Sequence, residues 1–271
     1  EEQFEEYCSV LRSSPNHRVT IRTLDLGGDK TVPFVGRAHR EANPFMGWRS
    51  IRLCFEHPDF FNIQLRAILR AADYARHLRG EVRMMFPMIT TREEIHRVRR
   101  MVAGVKRQLT HDGKPFADVP IGIMIEVPAA AITISSMLPQ VDFVSIGSND
   151  LVQYLMAADR DNPKVAHLCQ PLAPAVLQVL TDVVRKGNEA GRPVTVCGEM
   201  AGQPRAFALL LGMGVRSFSM SPAFIPYIKE FAKHLSLAEA ARILAHALTL
   251  HTTGKVTHYL TEQLTQLFPD F

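Results

Sequence analysis

Residues 141–150 read VDFVSIGSND, an apolar run that ends in polar side chains. The run Val141–Ile146 is too continuously hydrophobic to leave one face of a strand in water. Such strands are typical of a parallel sheet that is covered by helices. Asn149 and Asp150 follow the run, where the carboxyl end of the strand is expected. The stretch therefore predicts a buried parallel strand that presents polar groups at one edge of the sheet.

The same pattern recurs along the chain, with helical segments between the apolar runs. The other predicted strands are Val19–Leu26, Val82–Ile89, Ile121–Val127, Val194–Val196 and Phe218–Met220, and Phe45–Ile51 is a short seventh when it is counted. The predicted helices are the opening segment 1–7, Asn62–Leu78, Arg92–Leu109, Ala175–Glu189 closing at Gly191, Pro204–Leu211 closing at Gly212, and Leu237–Leu250. Strands that alternate with helices predict an α/β protein with a parallel sheet.

The ends of the strands favour a closed barrel over an open sheet. Asp25, Glu126, Asp150 and Cys197 each lie at or just after the end of a predicted strand. In a (β/α)8 TIM barrel these ends converge on one face, whereas in an open sheet they are spread along an edge. A barrel needs eight strands, and the sequence shows six or seven. Because the chain opens in a helix, and a barrel helix follows a strand, we expect the first strand to be missing and to precede Glu1.

The composition is that of a globular protein with a sizeable core. The 271 residues are 46% hydrophobic and 21% charged, with a net charge of +4. No apolar run approaches the ~20 residues of a membrane-spanning helix. The four cysteines form no CxxC pair and no zinc spacing, which is typical of a reduced, cytoplasmic protein. Without a repeat or linker we expect one domain over 1–271, and the absence of an initiator Met indicates a piece of a longer chain.

Two acidic residues are candidates for a metal site. Glu126 and Asp150 are separated by one strand–helix unit. If their strands are neighbours, the strands lie about 4.8 Å apart and the two carboxylates can share one ion. Mg²⁺ fits best, because it takes one or two carboxylates and fills its other positions with water and substrate oxygens. The alternative is that each acid pairs with an arginine or caps a helix.

Four basic residues lie beside turns or strand ends. Arg22 lies within the first predicted strand, Arg49 follows Gly47-Trp48, and Arg160 lies in a turn. Lys30 comes just after the Gly27-Gly28 turn. Next to a Mg²⁺ site, such cations would neutralise a phosphoryl group and a carboxylate. Taken singly, each arginine also fits the description of an ordinary salt-bridged surface residue.

Cys197 is the one cysteine at a predicted strand end. A thiol with an ordinary pKa stays protonated at neutral pH, so it can give its proton to a carbanion or enolate. Most buried cysteines only fill space, which is the alternative for Cys197. None of the eleven histidines falls at a strand end, so the sequence shows no evident catalytic or phosphorylatable histidine.

Five motifs, in order and spacing, resemble the C-terminal domain of the enzyme I family, the phosphoenolpyruvate-protein phosphotransferases of bacterial sugar transport. They are RTLDLGGDK (22–30), EANPFMGWR (41–49), GIMIEVP (122–128), SIGSNDLVQY (145–154) and CGEMAG (197–202). Together they span nearly the whole chain, which makes the resemblance far more specific than any single motif. The resemblance implies a (β/α)8 barrel that binds phosphoenolpyruvate and Mg²⁺ and supports phosphoryl transfer to a histidine on a separate domain, releasing pyruvate.

The resemblance also assigns roles to individual residues. It implies that Glu126 and Asp150 bind Mg²⁺ and that Cys197 protonates the enolate carbon. The ligands of phosphate and carboxylate that it implies are Arg22, Arg49, Asn149 and Arg160. We also expect Asp150 to contact the substrate, and Lys30, from its place after the Gly27-Gly28 turn, to add a point charge. The chain departs from the family's motifs at two positions. Ser148 replaces the usual Thr, and Gln203 replaces a common Asp near Cys197. An upstream strand that supplies another arginine in the family is absent.

The family also implies partners. These are an N-terminal phosphohistidine domain absent from this chain, a histidine-containing phosphocarrier protein, and a second copy in a cytoplasmic homodimer. We expect neither a nucleic acid nor a membrane as a partner.

Three other functions fit some of the same motifs. The barrel of a pyruvate, phosphate dikinase or phosphoenolpyruvate synthase shares the Glu, Asn-Asp and Cys-Gly-Glu motifs. The Gly27-Gly28-Asp29-Lys30 turn and the EANPFMGWR motif nevertheless favour enzyme I. A regulatory module that binds anions or nucleic acid would explain the arginine-rich face of Arg92–Arg107, but that face lacks interleaved aromatic residues. A phosphoenolpyruvate sensor without catalysis is the third, and the presence of Cys197 argues against it.

Overall fold

A computed structural model describes residues 1–27 and 41–267 of the chain. Its internal contacts divide the chain into two compact units. The first unit comprises Glu1–Met124 with Gln140–Asp142, and the second comprises Ile125–Pro139 with Phe143–Phe271. Each unit holds parallel strands together with the helices that pack on them.

The described residues of the first unit form three parallel strands. Its strands are β1 (Arg18–Arg22), β2 (Glu81–Phe86) and β3 (Ile121–Ile125, whose last residue falls in the second unit). Its helices are α1 (Glu2–Ser13), α2 (Ile51–Glu56), α3 (Pro58–His77) and α4 (Arg92–His111). Strand β2 pairs with β1 on one side and with β3 on the other. Because the strands are parallel, their carboxyl ends lie at the same edge.

Helices α1 and α3 cover the strands of the first unit. Leu65 and Ile68 of α3 are fully buried, and the Phe61 ring meets the Phe86 ring of β2 edge to face at 6.2 Å. Helix α4 begins with a capping box in which Thr91 and Glu94 satisfy each other's backbone N–H groups. Its predicted apolar stripe is buried, as the helical spacing requires.

In the second unit, the residues up to 267 that the structure describes also form three parallel strands. Its strands are β4 (Phe143–Gly147), β5 (Val194–Cys197) and β6 (Ser217–Ser219), with β5 between the other two. Its helices are α5 (Pro128–Ile132), α6 (Ile134–Met137), α7 (Ser148–Met156), α8 (Pro174–Glu189), α9 (Pro204–Met213), α10 (Ile225–Lys233), α11 (Leu237–Ala247) and α12 (Thr253–Leu267). The Phe207 ring of α9 contacts Phe218 of β6 and Phe231 of α10 and so joins three elements of this core.

The observed elements confirm most of the predicted ones and correct several of their bounds. The predicted strand Val82–Ile89 ends at Phe86, and the predicted helix Leu237–Leu250 ends at Ala247. Strand β1 ends at Arg22, so the predicted stretch Val19–Leu26 is too long, because residues 23–26 leave the sheet. The predicted short strand Phe45–Ile51 is wrong: Pro44–Met46 is a 3₁₀ helix and only Arg49 makes an isolated bridge. Helix α9 continues through Gly212 and stops at Gly214, where φ is +103° and the helix cannot continue.

The α/β class with parallel strands is confirmed. The described residues contain six strands, three in each unit, and a closed (β/α)8 TIM barrel is not shown. The eight-stranded barrel, a first strand upstream of Glu1 and the single domain over 1–271 stay predictions.

Candidate functional site

In the first unit, two of the predicted arginines meet one aspartate after the end of β1. Arg49 donates from one guanidinium nitrogen to both carboxylate oxygens of Asp25, at 3.0 and 3.2 Å. Arg22 approaches the same carboxylate at 3.3 Å. The side chains of Arg49 and Asp25 are each only 9% exposed, whereas that of Arg22 is 48% exposed. Burial of an ion pair is tolerated only with good hydrogen bonds, and Arg49 has them.

The local backbone explains why residues so far apart in sequence meet here. Gly27 and Arg49 form an isolated antiparallel bridge, and the Ser50 N–H donates to the Leu26 carbonyl at 2.8 Å. The bridge holds the segment after β1 against the segment before α2. Lys30, the fourth predicted cation, lies outside the described residues.

In the second unit, two of the predicted acids are buried at strand ends. Glu126 follows β3 and is 2% exposed, and Asp150 lies in the first turn of α7, which follows β4, and is 7% exposed. A carboxylate in the first turn of a helix is stabilised by the helix dipole. Arg160 donates to Asp150 Oδ1 at 2.7 Å, a short charge-assisted bond. Asp150 therefore pairs with an arginine, which was the alternative to a metal site. This arginine, Arg160, is itself one of the ligands that the resemblance implies.

The two buried carboxylates fit Mg²⁺ in their chemistry. Among residues 1–27 and 41–267, no three His, Cys, Asp or Glu side chains are placed to hold a metal ion together. Mg²⁺ needs only one or two carboxylates from the protein. Glu126 and Asp150 would be those ligands.

Cys197 ends β5 and its thiol lies against β4. The Sγ–H donates to the Ile146 carbonyl at 3.3 Å, and the Ser145 hydroxyl donates to Sγ at 3.5 Å. The Ser148 hydroxyl donates to the Cys197 carbonyl at 2.9 Å. A thiol can make both contacts, as a weak donor to Ile146 and a weak acceptor from Ser145.

Asn149 lies between two surface cavities of the second unit. Its Oδ1 accepts from the Glu199 N–H at 3.2 Å. Gly198 makes this close approach workable, because its φ is +113° and a Cβ there would overlap the Ser148 hydroxyl. The larger cavity, of about 290 Å³, extends from Asn149 to Phe224, and the smaller, of about 110 Å³, is lined by Arg160, Cys169 and Gln203 among others.

Sequence reasoning missed two supporting residues of this unit. Gln153 is 4% exposed and its Oε1 accepts from the Arg160 N–H at 3.1 Å, so it fixes the loop that carries this arginine. Ser145 contacts the Cys197 thiol across the β4–β5 pair. In the register of β4 and β5, Ser145 stands opposite Thr195, which lies two residues before Cys197. This proximity depends on the strand register and is not evident from the sequence.

Three basic residues of α4 make contacts within the protein. Arg97 donates to the Phe55 carbonyl at 2.7 Å and stacks over the Phe55 ring. Arg99 donates to the Gln140 carbonyl, and Lys106 pairs with Asp118. These contacts give Arg97, Arg99 and Lys106 a structural role. Within the described part of the chain, no helix has both the length and the apolar character to cross a membrane.

A family model and individual relatives of known name both match this chain and indicate the same family. The model of the PEP-utilising enzyme, PEP-binding domain matches residues 1–237. Proteins named phosphoenolpyruvate-protein phosphotransferase are 43% identical in Bacillus sp. (strain S), over 96% of this chain, and 42% identical in Listeria monocytogenes, over 98%. The chain spans 44–45% of the length of these two relatives. A citrate lyase structure from Burkholderia xenovorans is 16% identical with a TM-score of 0.49, over 98% of this chain and 80% of that chain, which is too distant to assign a fold.

Proposed function

Because the chain belongs to the family of PEP-utilising enzymes that share this PEP-binding domain, we propose that it binds phosphoenolpyruvate and Mg²⁺ for phosphoryl transfer. The acceptor is a histidine on a separate domain, and pyruvate is released. The observation that carries the proposal is a group of side chains in the second unit. Asn149 and Asp150 follow β4, Cys197 ends β5, and Arg160 bonds to Asp150. Similarity to phosphoenolpyruvate-protein phosphotransferases supports this function over that of a dikinase or synthase.

Glu126 and Asp150 would hold Mg²⁺, which when bound supplies positive charge to the phosphoryl oxygens. Arg160, held by the Asp150 carboxylate and by Gln153, presents its guanidinium as a fixed cation for phosphate or carboxylate. In the first unit, Arg49 is oriented by Asp25. The half-exposed Arg22 could turn from Asp25 to a ligand, because Asp25 would keep its pair with Arg49. Lys30 remains a proposed further cation. Asn149 contributes its side-chain amide as a hydrogen-bond donor.

The proposed reaction breaks the bond between phosphorus and the enol oxygen. The phosphoryl group passes to a ring nitrogen of the acceptor histidine, and the electron pair stays on the oxygen as an enolate. Cys197 then gives its proton to the terminal carbon of the enolate, which forms the methyl group of pyruvate. The thiol is left as a thiolate that takes a proton from water.

The wider setting is part of the same proposal. The acceptor histidine lies on an N-terminal domain of the parent protein, from which a histidine-containing phosphocarrier takes the phosphoryl group toward sugar transport. The parent acts as a cytoplasmic homodimer. These partners rest on the similarity to phosphoenolpyruvate-protein phosphotransferases.

A calorimetric titration of the chain with phosphoenolpyruvate, with and without Mg²⁺, tests the binding. We expect binding that requires Mg²⁺ and is lost in Asp150→Ala. Asp182→Ala is the matched control, because Asp182 is an exposed acid of α8 that also pairs with basic side chains. Metal-independent binding, or equal binding by the Asp150 and Asp182 variants, would contradict the proposed site.

A further inference from the structure

Ser50 occupies a backbone conformation that ordinarily belongs to glycine. Its φ is +57° and its ψ is −129°, and the Arg52 N–H donates to the Arg49 carbonyl at 3.2 Å. These values describe a type II′ turn over residues 49–52, with Ser50 at the position where φ must be positive. A residue with a Cβ is strained there. The sequence nevertheless has serine.

The Ser50 side chain adds a second cost. It is fully buried, and among residues 1–27 and 41–267 its hydroxyl has no hydrogen-bond partner, unlike most buried polar groups. Strain and an unsatisfied hydroxyl at one residue both act against stability. Features of this kind are expected where the chain serves a function at the expense of stability.

The turn lies directly after Arg49 and is fixed on both sides. Before it, the Gly27–Arg49 bridge and the bond from the Ser50 N–H to Leu26 tie the chain to the segment after β1. After it, the Ser50 carbonyl accepts from the Cys54 N–H at 3.0 Å in the first turn of α2. Gly27 permits this approach, because a Cβ there would lie 2.5 Å from the Trp48 carbonyl oxygen. Arg49 is thus the last residue before a sharp and constrained change of direction.

We propose that Ser50 is a positioning residue for Arg49. The bonds to Leu26 and Cys54 hold the turn, and the Cβ of Ser50 leaves its backbone fewer alternative conformations than glycine would have. The turn in this conformation presents Arg49 so that the guanidinium reaches Asp25. The role deepens the proposed function, on which it rests, because Arg49 is a proposed ligand of phosphoenolpyruvate. Glycine would satisfy the same turn without strain but would leave the backbone freer to move.

The test compares three variants. Ser50→Gly removes the Cβ and relieves the strain. Ser50→Ala keeps the Cβ and removes only the hydroxyl. Arg79→Gly is the matched control, because Arg79 also has a positive φ, of 55°, but is exposed in the turn between α3 and β2. Each variant is measured for its melting temperature, for its affinity for phosphoenolpyruvate with Mg²⁺, and for the order of the Arg49 side-chain Nε–H by NMR.

We expect Ser50→Gly to melt no lower than the unmodified chain, to bind phosphoenolpyruvate about two- to fivefold more weakly, and to show a less ordered Arg49 side chain. Ser50→Ala and Arg79→Gly should keep both the affinity and the order of Arg49. A combination of unchanged stability and weaker binding is not expected of a residue with a purely structural role.

Two results would overturn the inference. One is a Ser50→Gly chain in which Arg49 is as ordered as before. The other is a Ser50→Ala chain that loses affinity as Ser50→Gly does, since the hydroxyl and not the turn would then be responsible. If the unmodified chain does not bind phosphoenolpyruvate at all, the proposed function fails, whereas the order of Arg49 still decides whether Ser50 positions it.

Discussion

The ion pair between Asp150 and Arg160 should contribute measurably to stability. Their closest atoms are 2.7 Å apart, and two unit charges about 4 Å apart attract by about 4 kcal/mol at an effective dielectric constant of ~20. The Asp150 side chain is 9% exposed, but that of Arg160 is 35% exposed, so solvent screening and desolvation reduce this value. We expect a net coupling energy of about 1–2 kcal/mol.

A double-mutant cycle measures this coupling energy. Asp150→Asn, Arg160→Gln and the double variant are unfolded in urea, and the difference between the sum of the single effects and the double effect is the coupling energy. The surface pair of Lys233 and Glu230, also in the second unit, is the control, and its coupling should stay below about 0.5 kcal/mol because both side chains are exposed. A coupling at Asp150–Arg160 no larger than the control would refute the argument that burial strengthens this pair.

Three further predictions concern thiols and pH. In the full-length enzyme, Cys197→Ala should leave phosphoenolpyruvate affinity unchanged and slow pyruvate formation by about 10²–10⁴-fold in a coupled assay; an unchanged rate would remove its role as proton donor. Burial raises the pKa of the Cys54 thiol to about 12, so in native protein at pH 8 iodoacetamide should modify the half-exposed Cys169 well before Cys54, as followed by mass spectrometry. The hydrogen bond from Lys106 lowers the pKa of Asp118 below its ordinary 3.8. The stability that this pair adds is therefore present above pH 3.8 and is lost as the pH falls below it. We expect Lys106→Met to lower the melting temperature slightly at pH 6 and to leave it unchanged near pH 2.

The elements that the sequence predicted well are those with strong local signals. Helix α4 has an apolar stripe at helical spacing and a capping box, and both lie within twenty residues of the chain. Strand β3 is continuously apolar and fully buried, as its composition indicated. Element ends were predicted less well. Leu24 and Leu26 favour an extension of β1, but their backbone groups bond outside the sheet, to Gln64 of α3 and to Ser50.

The candidate site shows the same division. The placing of Glu126, Asp150 and Cys197 at strand ends was evident from the chain, and the described structure confirms that each follows or ends its strand. The pairing of Arg49 with Asp25 was not evident, because twenty-four residues separate them and no periodic pattern links them. The support of Arg160 by Gln153 likewise depends on a loop that returns to its own helix.

The sequence by itself determined the α/β class, the chemical types of residue at the strand ends and the similarity to a phosphoenolpyruvate-binding family. These follow from hydrophobic periodicity and from motifs, which are properties of neighbouring residues. Only the tertiary structure decided which charges meet and how Ser50 is held. Those outcomes depend on contacts between distant segments, where packing and hydrogen bonds outweigh the local preference of a serine for an unstrained backbone.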